Sequence, residues 1–97
     1  MTRKKDLEKI IEHYGGINQV LVLFEEMGEL TKAITKVLRE QGNKADVAEE
    51  LADVQIMIDQ MKLIFKLSDK TMNEFVNYKI DRTLERIENA ADGVPGE

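Results

Sequence analysis

Glu25, Glu26 and Glu29, and then Glu49, Glu50 and Asp53, are the residues whose types and spacing could do chemistry. They stand as Glu25-Glu26-x-x-Glu29 and, after a spacer, Glu50-x-x-Asp53 with Glu49 in front. Acids three apart lie on one side of a helix. With Glu50 at zero and about 100° per residue, Val47, Leu51, Val54, Met57, Ile58, Met61, Ile64 and Phe65 fall between about 320° and 100°. Glu50 sits inside that apolar arc, and Asp53 lies at its edge beside Ile64. On the upstream helix Val22, Leu23, Met27, Leu30, Ala33, Ile34 and Val37 flank Glu26 in the same way, and Glu29 borders Val22. Four carboxylates therefore point toward the expected core. Burying ionised carboxylates is costly unless a positive charge compensates or they take up protons. Oxygen ligands alone suit a hard divalent cation, Mg²⁺ or Mn²⁺. Acid pairs on helices are usually solvated faces, and the first motif by itself would be read so. The second pair, in the best apolar stripe of the chain, favours a site.

The elements that must position these acids are four helices, so the expected class is all-α. The first reads from about Arg3 to Tyr14, with Leu7, Ile10, Ile11 and Tyr14 on one face, and Gly15-Gly16 stops it. The second runs from about Asn18, a candidate cap, to Gln41, and Gly42-Asn43 ends it. Gly28 inside it costs about 1 kcal/mol relative to Ala and marks a possible close approach. The third starts near Asp46 as cap and continues to about Leu67. Ser68-Asp69 opens a fourth, running to about Ala90, whose stripe is Met72, Phe75, Val76, Ile80, Leu84 and Ile87. The tail from Ala91 to Glu97 carries turn residues and no periodicity. The methionines read as core filler, and His13, without a partner motif, as structural.

Lys79 falls inside the stripe of the fourth helix, with Arg82 and Arg86 along one edge. A cationic ridge beside an acidic cluster is what a triphosphate needs, because a cation bridges phosphate oxygens while Lys and Arg neutralise the rest. The plain alternative is a solvated helix whose basic residues pair with Asp81, Glu85 or Glu88.

Several metal and hydrolase chemistries drop out. Carboxylate-bridged di-iron bundles use Glu-x-x-His, and Asp53 stands where that histidine would be. Zinc sites want His or Cys; the chain has one histidine and no cysteine. No Ser-His-Asp arrangement or phosphate-cradling glycine loop is present.

The pattern Glu25-Glu26-x-x-Glu29 … Glu50-x-x-Asp53, with Lys79-x-x-Arg82 on the last helix, resembles MazG-like nucleotide pyrophosphohydrolases of the all-α NTP pyrophosphatase superfamily. The resemblance covers most of the chain. It implies a four-helix protomer packing as an oligomeric bundle, a homodimer or homotetramer, with Mg²⁺ in the helical core. It also implies cleavage of a nucleoside triphosphate to the monophosphate and pyrophosphate. Carried onto this chain, the metal ligands would be Glu26, Glu29, Glu50 and Asp53. Glu49 and Glu25 would stand behind them or position a water, and Glu25 or Glu29 would take the water's proton. Lys79 and Arg82 would hold phosphates, and Gln19 would contact the nucleotide. The family often has Asn between the Lys and Arg of the last helix, where this chain has Asp81. A catalytically silent nucleotide-binding or regulatory module is the competing expectation.

Composition sets outer bounds. The 97 residues, 42% hydrophobic and 34% charged, suit one small domain, residues 1–97. A net charge of −5 argues against a nucleic-acid surface, which wants a basic stripe. With no cysteine there is no disulfide framework. No apolar run reaches membrane-spanning length and the N-terminus lacks an apolar signal region, so the expectation is a soluble, cytoplasmic protein.

Overall fold

The computed structural model describes residues 3–91, and among them every regular element is a helix. They are α1 (Lys4–Tyr14), α2 (Gly16–Leu38), α3 (Lys44–Ile64) and α4 (Asp69–Ala91). The chain divides into two compact units, residues 1–66 and 67–97. In the first, α2 and α3 pack along each other and α1 packs against both.

Chain breaks fall where the backbone demands them, and not always where glycine stands. Gly15, at φ 93°, both ends α1 and precedes α2, a left-handed value that glycine adopts without a Cβ penalty. Gly16 is already helical. Asn18, expected to cap α2, lies inside it; its Nδ2 instead donates to the Tyr14 carbonyl at 2.7 Å, capping the end of α1. The end of α2 departs from expectation too. Glu40, not Gly42, takes the left-handed conformation, at φ 60°. Its N–H donates to the Val37 carbonyl at 3.0 Å and that of Gln41 to the Lys36 carbonyl at 2.8 Å, the paired bonds of a Schellman turn. Gly42 is needed for space: a Cβ there would stand 2.9 Å from Lys36 Cβ.

The cap of α3 is Asn43, whose Oδ1 accepts from the Asp46 N–H at 3.0 Å. Asp46, expected as the cap, therefore sits one turn in, where its negative charge suits the helix N-terminus. Ser68 opens α4 as expected, its Oγ accepting from the Thr71 N–H at 3.1 Å. Ala91 closes α4, and the rest of the expected tail, 92–97, lies outside the described residues.

Among the described residues the buried centre is small: Leu7, Ala33 and Met57, with two glutamines, Gln19 and Gln60. Val22, Leu23, Leu30, Val37, Val54, Met61 and Ile64 are half-buried around it. Leu51, Ile58 and Phe65, read as core from the α3 arc, are exposed, as are Met27 and Ile34 on α2. The apolar arcs are wider than one neighbouring helix can cover, and so the flanks of the α2–α3 pair stay open.

Candidate functional site

Three carboxylates converge between α2 and α3. Glu26, Glu50 and Asp53 each offer an oxygen, and these oxygens all lie within 4.8 Å of one another. The helical spacing explains the meeting: Glu26 faces α3 in line with Ala33, and Glu50 and Asp53 face α2 from one turn of α3. All three are half-buried, and Glu50 Oε2 is shielded from solvent with no hydrogen-bond partner among the described residues.

Electrostatics records the same crowding. Loss of hydration raises the Glu26 pKa above its ordinary 4.5, and the charges of Asp53 and Glu50, a hydrogen bond with Asp53 and the charge of Glu29 push it the same way. Glu50 is raised first by loss of hydration, then by Asp53, Glu29, Glu49 and Asp46. No cation among the described residues is one of these influences. A group of acids that raise one another's pKa values is one that a bound cation would relieve.

The other expected residues fall into three groups. Glu29, expected as a fourth ligand, is not part of the converging trio; it is more than half exposed and its Oε1 lies 3.5 Å from Lys32 Nζ. It does line a cavity of about 150 Å³ beside the trio, together with Lys32, Ala33, Lys36, Asp46, Glu49 and Glu50. Glu25 and Glu49 are both exposed, placed to meet water more than to hold a metal. Lys79 and Arg82 stand one turn apart on α4, in the second unit, where the Arg82 guanidinium lies 5.7 Å from the centre of the Tyr78 ring.

Gln19 has a different setting from the one its sequence position suggested. It is only 6% exposed, and its Nε2 donates to Oε1 of Gln60, itself 1% exposed, at 2.8 Å. The Gln60 amide also approaches Met57 Sδ at 3.7 Å. Gln19 thus ties α2 to α3 inside their interface. Sequence reasoning missed its partner Gln60, and also Lys32, Lys36 and Asp46 around the cavity. A signal existed for the latter: Lys32 and Lys36 follow Glu29 at helical spacing, and Asp46 precedes Glu50 by four residues.

No family model, curated protein or solved structure gives a significant match to this chain. Among the described residues, no helix is long and apolar enough to cross a membrane.

Proposed function

We propose that the chain is a Mg²⁺-dependent nucleoside triphosphate pyrophosphohydrolase of MazG-like type, converting a (d)NTP to the (d)NMP and pyrophosphate. The observation that carries this reading is the convergence of Glu26, Glu50 and Asp53 from two helices to within 4.8 Å. The donor set fits a hard cation: three carboxylates, oxygen only, one of them with a shielded oxygen that receives no hydrogen bond. Mn²⁺ would suit the same ligands. A cation bound there supplies Lewis acidity toward phosphate oxygens and lowers the pKa of a coordinated water.

The chain's own residues do the rest. Glu26, Glu50 and Asp53 hold the charge in place. Glu29, at the cavity margin with an open path to solvent, accepts a proton from water, and Glu25 is the next candidate one turn back. Glu49, beside Glu50, adds to the negative charge that raises its neighbour's pKa, after loss of hydration, Asp53 and Glu29. Oligomeric helical packing belongs to the reading as well, since large apolar side chains on α2 and α3 remain exposed.

The test is pyrophosphate release from a panel of ribo- and deoxynucleoside triphosphates, with Mg²⁺ and with EDTA. Magnesium-dependent release that disappears in Glu50→Gln supports the enzyme and gives its base preference. Absence of release from every nucleotide by folded protein would overturn it in favour of a silent binding or regulatory module.

A further inference from the structure

The cavity of about 150 Å³ between α2 and α3 is lined by charges of both signs, and the functional reading has used only its acids. Glu29, Lys32 and Lys36 stand at helical spacing along one face of α2, and Asp46, Glu49 and Glu50 do so on α3. Glu50 belongs both to the converging trio and to the cavity wall, so the two are continuous. Asp46 lies in the first turn of α3, which brings the positive pole of that helix to the same cavity.

Lys36 differs from its neighbours in what it meets. Lys32 Nζ has Glu29 Oε1 at 3.5 Å, whereas no carboxylate among the described residues pairs with Lys36. The turn after α2 seats the root of its side chain. A Cβ on Gly42 would stand 2.9 Å from Lys36 Cβ, and the Gln41 N–H donates to the Lys36 carbonyl at 2.8 Å. Neither lysine is among the groups that shift Glu50, although all three line one cavity. Positive and negative walls thus face each other across open space. A lysine ammonium has three donors and no acceptor. What fits between such walls is an anion that meets the lysine at one end and shares a cation with the acids at the other.

We propose that this cavity seats the two outer phosphates of the nucleotide, Lys36 holding the terminal one with Lys32 beside it, so that the chain selects triphosphates over diphosphates and retains pyrophosphate. This rests on the pyrophosphohydrolase reading and adds to it how the substrate is measured. Size agrees. At about 30 Å³ per water the cavity has room for about five waters, which suits a two-phosphate group. It is well below the roughly 300 Å³ at which pockets for whole drug-sized ligands begin, so the base and sugar stay outside. Six acids line the trio and the cavity (Glu26, Glu29, Asp46, Glu49, Glu50 and Asp53) against two lysines. An anion therefore enters only together with a divalent cation, and pyrophosphate binding requires Mg²⁺. A nucleoside diphosphate held by the same acids ends one phosphate short of Lys36.

The experiment titrates the full chain with pyrophosphate, and separately with orthophosphate, in Mg²⁺ and in EDTA, and follows heat of binding and melting temperature. Pyrophosphate should bind in Mg²⁺ and not in EDTA, and more tightly than orthophosphate. Lys36→Gln should weaken pyrophosphate about ten- to a hundredfold, the range for losing a hydrogen bond to a charged group. The same variant should keep the rise in melting temperature that Mg²⁺ alone produces. Lys36→Arg should retain most of the affinity, and Lys9→Gln, on the exposed side of α1, all of it. If Lys36→Gln does not fold, Lys32→Gln is read for the same loss. In turnover, Lys36→Gln should raise KM for triphosphates more than for diphosphates and so shrink the preference between them. Unchanged pyrophosphate affinity in Lys36→Gln would overturn the proposal and leave Lys36 only its place at the negative end of α2. A chain that Mg²⁺ stabilises but that binds no pyrophosphate would overturn it too. A chain that Mg²⁺ does not stabilise would remove the cation site and both readings with it. Mg²⁺-dependent, Lys36-dependent pyrophosphate binding without turnover of any nucleotide would support the cavity assignment and overturn the enzyme.

Discussion

Replacing Gln19 by Leu separates two roles for that residue. Its amide donates to Gln60 at 2.8 Å inside the α2–α3 interface, where Gln60 is 1% exposed. Removing the donor leaves the Gln60 oxygen without its partner and without access to water, which costs about 1–3 kcal/mol. In a domain of this size each kcal/mol moves the melting temperature by about 4–8 °C, so Gln19→Leu should lower it by roughly 5–20 °C. Gln60→Leu should do similar harm by stranding the Gln19 amide. The double variant removes both polar groups together and should recover much of the loss. That is a coupling on the order of 1 kcal/mol or more in a double-mutant cycle. Thermal and urea denaturation of the three variants reads it directly. Additive losses would refute the reasoning, and so would a Gln19→Leu protein of unchanged stability. A raised KM for nucleotide without any loss of stability would return Gln19 to the role its sequence position suggested.

The remaining predictions concern the acids and one turn. Glu50→Gln should be at least as stable as the unaltered chain in EDTA, because it removes one of several crowded charges, yet should lose the Mg²⁺-induced rise in melting temperature. That rise would be worth about 2.7 kcal/mol at a hundredfold excess over Kd; a persisting rise would place the cation elsewhere. Glu26 and Glu50 have native pKa values raised above the ordinary 4.5, so the native state holds more protons than the unfolded chain just above that pH. Their contribution is therefore favourable at low pH and lost as pH rises through the raised values. In EDTA, the stability advantage of Glu26→Gln/Glu50→Gln over the unaltered chain should grow from pH 4.5 to 8; an advantage that shrinks over that range would contradict the sign. Glu40, left-handed at φ 60° with a Cβ, should give about 1 kcal/mol of stability on replacement by Gly, measured by urea denaturation.

Four helices were legible because each carries a long apolar period between polar breaks. Their ends were less so, because Asn18 and Asp46 are good capping types that the chain uses differently. Asn18 closes the helix before it, and Asn43, read as part of a stop, opens the helix after it. Gly42 looked like the helix terminator, yet the left-handed turn falls on Glu40, and the glycine answers a crowding by Lys36 that only three dimensions reveal. The meeting of Glu26 with Glu50 and Asp53 was readable from wheel angles. The outward placing of Glu29 was not, since its angle borders the core and the Lys32 ion pair leans it toward solvent. Exposure of Leu51, Ile58 and Phe65 was equally hidden, because an apolar residue's periodicity says which arc it joins and not whether anything stands opposite.

The bond from Asn18 to the Tyr14 carbonyl has a consequence for the order in which the N-terminal region forms. Asn18 can reach back four residues only when the first turn of α2 has already wound beyond Gly15. The last turn of α1 is thus completed by a residue that belongs to its successor. An 11-residue helix is too short to persist alone in water, so α1 owes its permanence to this cap and to its packing against α2 and α3 through Leu7. Amide protons near Tyr14 should then exchange with solvent together with those opening α2.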